Sequence, residues 1–325
     1  MTLDDELSEI TVVSLEQAVA APYCGLLLAS AGARVIKVER PEGDFARSYD
    51  SGINGKSAIF AWLNRGKESI ALDLKNEKDK YILKKIINRS DIFLSNLTPN
   101  ALKRLELDYE NLKSDNPKLI YCKITGYGES EEASTRKAYD MLVQAESGLC
   151  SVTGTEENPS KVGISITDLS TGLTAFSALL RALIQRGKTN KGVQISISMF
   201  DVMADWMNMP LLAYRFMGGS PKRSGLKHTF IAPYGAFTCS DDSQILLSIQ
   251  NNREFSVFCN KVLENKGLSK HPNFSDNPQR YQNRKELDDI ISKSFKKMTR
   301  KQVQDKLNKF GIANAQLNDV GQLSD

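Results

Sequence analysis

"ITVVSLEQAVAAPYCGLLLASAGARVIKVERPEGD", Ile10 to Asp44, decides the fold. Its opening, "ITVVS", has the β-branched composition of a buried strand. "APYCGLLLASAG" reads as a helix, with Pro22 in its first turn and Gly32 at its end, and "RVIKVE" as a second strand. The order repeats outward from there. Helix "KDKYILKKIINR" leads to strand "DIFLS", and "PNALKRL" and "DYENLKSD" lead to strand "KLIYCKIT". Strand "VQISIS" feeds one long helix, "MFDVMADWMNMPLLAYRFM". This alternation predicts an α/β fold, a doubly wound, mostly parallel, Rossmann-like sheet flanked by helices. After "GGSPKRSG" the texture changes. "YGAFTC" and "QILLSI" form a hairpin around "SDDS", and helical stretches and a short apolar piece, "IANAQL", follow. The expected division is a large α/β domain over residues 1–224 and a small α+β domain over 225–325.

Composition narrows the function. The 325 residues carry 43 Lys and Arg against 39 Asp and Glu, a net charge of +4 that suits a phosphorylated small ligand. No basic stripe is interleaved with aromatics, so a nucleic-acid partner is not expected. The densest basic run, "KSFKKMTRKQ", reads as a solvated helix face. The N-terminus is acidic and lacks an apolar signal core, and no run of about 18 apolar residues exists to span a bilayer. Cys24, Cys122, Cys150, Cys239 and Cys259 lie far apart and mostly in apolar stretches, as reduced thiols of a cytoplasmic protein would. With two histidines and no CxxC, a zinc site is not expected.

"ISITDLSTGL" holds Asp168, the lone charge between Lys161 and Arg181. Leu169, Leu173, Phe176, Leu180 and Leu183 follow at the spacing of one helix face, which puts Asp168 at the N-cap. Orphan N–H groups and the helix dipole would keep such a carboxylate ionised. A carboxylate nucleophile needs the same, so capping and chemistry both stay open. Asp140, in "KAYDMLVQAESG" beside Lys137 and Tyr139, reads as a helix start facing a cavity, with capping as its plain explanation. The first strand–helix turn lacks G-x-G-x-x-G, which argues against a dinucleotide, although Ala20 and Ala21 permit close backbone approach. Arg40, after the second strand, could stack on a purine or simply face solvent. Lys75, Asn96, Arg104 and Lys137 fall after strands or at helix starts, where clefts of open sheets lie. A phosphate-rich ligand could use the cations together, whereas each alone is commonly a solvated charge.

Taken in order, "AAPYCGLLLASAGARVIKVERPEGD", "NRGKESIALDLK", "SNLTPNALKRL", "ITGYG", "KAYDMLVQAESG", "TDLSTG" and "GVQISISMFD" resemble the class III CoA-transferases. This is the formyl-CoA and carnitine CoA-transferase type, which also contains the α-methylacyl-CoA racemases. The likeness runs from about residue 10 to the end of the chain. "LEQAVAAP", "DFARSYD" and "AWLNRGKESIALDLK" are most similar to the branch acting on itaconate, mesaconate, citramalate and succinyl-CoA. The resemblance implies a large and a small domain and a homodimer of two chains threaded like linked rings. Coenzyme A would enter as acyl-CoA substrate, with no permanently bound cofactor and no metal. Asp168 falls on the family's catalytic aspartate and Asp140 on an acidic position next to it. Arg40 matches an adenine-stacking arginine. Leu72, Lys75, Asn96, Arg104 and Lys137 match positions lining the CoA channel. Val19 stands where some relatives carry an active-site glutamine.

Two departures are visible. Racemases pair the aspartate with a histidine, and here that position is Tyr139, which favours a transferase over an isomerase. The formyl-CoA type closes its site with a run of glycines. This chain has "RSGLKHTFIAPYG" instead, in which Gly225 and His228 would take part of that role. Arg47 and the "HTFIAPYG" loop are candidate contacts for a second substrate carboxylate. The expected chemistry is attack of Asp168 on an acyl-CoA thioester, a mixed anhydride, then an aspartyl-CoA thioester. N–H groups at the Asp168 helix start or in the Gly225 loop would serve the oxyanion. The alternatives are a racemase-type isomerase and an inactive CoA binder, the latter because relatives continue past the point where this chain ends in "DVGQLSD".

Overall fold

The computed structural model describes residues 5–324. Two compact units divide the chain, one running to Val152 and including Ser160–Ser220, the other made of Thr153–Pro159 and the residues from Pro221 onward. The first unit contains β1 (Thr11–Leu15), α1 (Ala20–Ser30), β2 (Arg34–Glu39), α2 (Ala58–Asn64), β3 (Glu68–Ala71), α3 (Glu77–Ile87) and β4 (Ile92–Ser95). There follow α4 (Pro99–Arg104), α5 (Tyr109–Lys113), β5 (Ile120–Thr125), α6 (Glu131–Thr135), α7 (Asp140–Glu146) and α8 (Leu149–Val152). After the excursion at 153–159 come α9 (Ile166–Thr189), β6 (Val193–Ser198), α10 (Met199–Trp206) and α11 (Asn208–Phe216).

The strands form a parallel sheet in the order β3-β2-β1-β4-β5-β6. Val12 pairs with Val35 on one side and Ile92 on the other, so the chain reverses its winding between β1 and β4. In a doubly wound sheet the cleft opens at the carboxyl ends of those two strands. β4 is buried along its length and β5 nearly so, because helices cover both faces of central parallel strands, and this is why they read as continuous apolar runs. β6 alternates, as an edge strand packed on one face does. β3, "ESIA", is a mostly exposed edge strand with no such pattern, and the sequence reading passed over it.

The long helix expected from Met199 onward is two helices. Pro210 stands in the first turn of α11; it has no N–H to donate to Trp206, and its ring would crowd that carbonyl, so the helix breaks at Met207. α9 lies along α1, and a Cβ on Gly172 would sit 2.6 Å from the Ala20 carbonyl oxygen. Glycine at that position lets the second turn of α9 meet the first turn of α1, and this sets Asp168 beside the β1 switch loop.

The second unit holds the antiparallel sheet β7 (Tyr234–Thr238), β8 (Gln244–Ser248) and β9 (Ala313–Gln316), in that order. Around it pack α12 (Asn252–Val257), α13 (Asn277–Gln282), α14 (Arg284–Phe295) and α15 (Arg300–Lys309), burying Phe237, Ile245, Phe255, Phe258 and Phe295. Lys293, Lys296 and Lys297 are exposed around buried Phe295, so the basic run is a solvated face. The five cysteines are free thiols, all buried except half-buried Cys150. Among the described residues no helix is long and apolar enough to cross a membrane.

Candidate active site

The site is built on the switch point between β1 and β4. Asn96, just past β4, accepts the Gln17 N–H at 3.0 Å through Oδ1 and donates to the Gln17 carbonyl at 2.7 Å through Nδ2, so it staples the two diverging loops. Ala18 takes a left-handed backbone (φ 65°), which costs a non-glycine residue on the order of 1 kcal/mol. Its N–H donates to Asp44 Oδ1 at 3.3 Å.

A buried ionic quartet holds this turn from below. Lys67 Nζ meets Glu16 at 2.6 Å and donates to the Pro22 carbonyl at 2.9 Å, while Lys37 Nζ meets Asp44 at 2.9 Å and Glu16 at 3.6 Å. All four side chains are buried. Burial would raise the Glu16 carboxyl, but the Lys67 and Lys37 charges outweigh it and hold the pKa down. Gly25 makes the room, since a Cβ there would sit 2.9 Å from Lys67 Nζ. Sequence reading missed the quartet, because no spacing rule links residues 16, 37, 44 and 67 before the sheet is assembled.

Two cavities of about 440 Å³ each open above the turn and share Gln17 and Leu97 in their walls. One is lined by Arg40, Leu72, Lys75 and Arg104, and none of its three cations named here has an ion-pair partner among the described residues. The other is lined by Ala20, Tyr49, Asn96, Lys137, Asp140 and Asp168, among others. Gln17 and Tyr49, unassigned from the sequence, therefore belong to the site; their signal was position after β1 and β2. Val19 is the residue from which α1 starts, and no side chain caps that helix.

Asp168 is the third residue of α9, whose N-cap is Ser165, so the expected N-cap placement is corrected by one turn's geometry. The capping work belongs to Asp140. Its Oδ1 accepts the Thr167 N–H at 2.8 Å and the Asp168 N–H at 3.2 Å, and its Oδ2 accepts Gln144 Nε2 at 2.7 Å. The helix-start N–H groups expected to hold Asp168 ionised, or to serve an oxyanion, are thus already engaged. The partly buried Asp168 carboxylate receives no hydrogen bond among the described residues. Burial, and after it the Asp140 charge, push its carboxyl up to about 7. The reversal has a plain cause. An acid in the first turn can be displaced from its own helix end by a better-aimed acid from another helix.

Arg47 is not a free substrate contact. It grips Glu39 with Nε and a terminal amine at 2.8 and 2.7 Å and lies 4.0 Å over the Phe60 ring. Gly225 and His228 belong to the second unit. Gly225 has φ 58°, and its N–H donates to the Gly154 carbonyl at 2.9 Å. His228 stacks on Tyr234 with centroids 4.9 Å apart, and burial, aided by Arg284, lowers its pKa. Arg284 donates to the His228 and Tyr234 carbonyls at 2.6 and 3.2 Å, and to that of Ile231, so the loop is pinned from α14.

A family model for CoA-transferase family III matches residues 7–325. Succinyl-CoA:glutarate CoA-transferase of Mus musculus is 36% identical over 292 residues, covering 89% of this chain and 66% of that protein, so the chain spans just under two thirds of its length. Acetyl-CoA:oxalate CoA-transferase of Acetobacter aceti is 33% identical over 316 residues, 96% of this chain and 81% of that protein. Succinyl-CoA:mesaconate CoA-transferase of Haloarcula hispanica is 31% identical over 291 residues, 86% and 72%. Among solved structures, a CAIB/BAIF family protein from Brucella suis superposes with TM-score 0.85 at 33% identity, over 99% of this chain and 86% of that one.

Proposed function

We propose that this chain, which belongs to CoA-transferase family III, moves coenzyme A from a short acyl-CoA, such as succinyl-CoA, to a small dicarboxylate through Asp168. The observation that carries the reading is a carboxylate free of hydrogen bonds, raised to about 7, in a cavity that shares its wall with a second one bearing three unpaired cations. Arg40, Lys75 and Arg104 suit the phosphates and adenine of CoA, and Leu72 its pantetheine arm. Lys137, exposed on the rim of the Asp168 cavity, suits the thioester end or a substrate carboxylate.

The sequence of bonds closes on itself. The ionised Asp168 oxygen attacks the acyl-CoA carbonyl; the C–S bond breaks, leaving a mixed anhydride and CoA thiolate. The thiolate attacks the aspartyl carbonyl, expelling the donor carboxylate and leaving aspartyl-CoA thioester. An acceptor carboxylate attacks that carbonyl, giving a new anhydride and thiolate, and the thiolate then takes the new acyl group and frees Asp168. A nucleophile of high basicity favours the first attack, and its pKa near working pH keeps about half of it ionised there. Backbone N–H groups in the uncapped first turn of α1, beside Ala20, are the donors we assign to the oxyanion.

The working form is a homodimer. α11 and its end expose Met209, Leu212, Tyr214, Phe216 and Met217, an apolar surface of the kind a second copy covers. Free thiols suit the cytoplasm. The test offers succinyl-CoA with a panel of dicarboxylates and reads new acyl-CoA by mass spectrometry. Transfer supports the reading; α-proton washout in deuterated water without transfer supports the isomerase, and binding without either supports an inactive binder.

A further inference from the structure

Gln144 is fully buried and lies one helical turn after Asp140 on α7, on the same face. Its amide is used at both ends. Nε2 donates to Asp140 Oδ2 at 2.7 Å and to the Ile164 carbonyl at 3.5 Å, and Oε1 accepts the Val162 N–H at 2.9 Å. The same side chain therefore grips Asp140 and the strand of chain that delivers α9. At that end every first-turn donor is placed: Ile166 N–H on the Ile164 carbonyl at 2.8 Å, Thr167 and Asp168 N–H on Asp140, and Leu169 N–H on the Ser165 carbonyl at 3.0 Å. An acid in a helix's first turn ordinarily gains from the dipole and from unpaired N–H groups there, becoming a weaker base. Here a second carboxylate occupies that position and excludes it.

We infer that Gln144 is a positioning residue: it clamps Asp140 onto the start of α9, so that Asp140 caps the helix in place of Asp168 and the Asp168 carboxylate is left unbonded. This rests on the transferase reading for its purpose but not for its detection. The charged and titratable groups sharing the cavity with Asp168 are Asp140 and Tyr139 at the start of α7, Arg136 and Lys137 before it, and Tyr49 after β2. Arg136 is already paired with Glu146 at 2.6 Å, and burial raises the Tyr49 phenol above its ordinary value, so Asp140 is the acid that the Gln144 grip controls.

The experiment uses the full chain labelled with ¹³C at aspartate carboxyls and with ¹⁵N, with the Asp168 signal assigned by Asp168→Asn. Gln144→Met keeps the volume and removes all the hydrogen bonds; Gln144→Glu keeps the acceptor for Val162 and removes the donor to Asp140. In both, amide exchange at Thr167 and Asp168 should quicken by about tenfold or more. In Gln144→Met the Asp168 titration midpoint should fall by about one pH unit as the helix end becomes available to it. Asp140→Asn drops the charge and sets an amide donor against the Gln144 donor in place of the Oδ2 acceptor, so it should lower the midpoint and quicken amide exchange as well. Unchanged exchange in a folded Gln144 variant, or an Asp168 midpoint within about 0.3 of wild type in both Gln144→Met and Asp140→Asn, overturns the inference. Failure of the transferase reading shows separately, as wild type that moves no CoA to any acid.

Discussion

Asp168→Asn should make the protein more stable, and the gain should depend on pH in a defined way. A carboxyl of ordinary pKa 3.8 stands at about 7 in the folded chain, so between those values the folded state holds a proton that the unfolded state has released. Wild-type stability must therefore fall as pH rises through that window. Each unit is worth about 1.4 kcal/mol, which sets the full cost at about 4 kcal/mol once pH exceeds both values. Water entering from the cavity side reduces this to about 2–4 kcal/mol. Asparagine has nearly the same shape and does not titrate. The variant's advantage should be close to nil below about pH 4, should grow between about pH 4 and 7, and should level off above pH 8. At about 2–4 °C per kcal/mol, its melting temperature should exceed wild type by about 5–15 °C at pH 8. Scanning calorimetry of both proteins at several pH values decides it. A gap that does not change with pH, or a variant melting below wild type at pH 8, refutes the placement of Asp168 in a desolvated site beside Asp140.

Lys67→Met strands buried Glu16 with only Lys37 at 3.6 Å, and should cost about 3–5 kcal/mol in urea unfolding at pH 7. Because the folded pKa of Glu16 is lowered, its stabilisation exists above its unfolded value and is lost as pH falls, so the gap should narrow in acid. Glu16→Gln combined with Lys67→Met should recover much of the loss; no recovery rejects the pairing. Gly172→Ala puts a Cβ 2.6 Å from the Ala20 carbonyl oxygen and should destabilise by about 1–3 kcal/mol while reducing turnover. Gly187→Ala, on the same helix with open space around it, should instead stabilise by about 0.5–1 kcal/mol, and thermal melts of the two compare them directly. Lys75→Ala and Arg104→Ala should each raise the KM for acyl-CoA about tenfold with kcat little changed, an effect that shrinks at high salt.

Most of the parallel sheet is legible in the sequence because its central strands are apolar runs and its helices carry a clear periodicity. β3 escapes, since a short exposed edge strand has neither signal. The break at Met207 was available in Pro210 and was overridden by the apolar run around it. The excursion at 153–159, which joins the second unit, leaves no compositional mark. For the site, the loops after strands are predictable places, and Arg40 follows β2, Lys75 follows β3 and Asn96 follows β4, whereas Arg104 closes α4 instead of standing after a strand or at a helix start. Roles within the site were less accessible. Asn96 proves to be a staple for Gln17, Arg47 a partner of Glu39, and the cap of α9 a residue 28 positions upstream of Asp168. Each of these depends on which side chains meet after folding, and local spacing does not encode it.

The acyl-bearing residue can be caught directly. Incubating the chain with succinyl-CoA and no acceptor, quenching in acid and mapping peptides by mass spectrometry should place CoA on the peptide containing Asp168, and hydroxylamine should remove it as the hydroxamate at that residue. Turnover that proceeds with Asp168 never modified, or that survives in Asp168→Asn, contradicts covalent catalysis by this carboxylate.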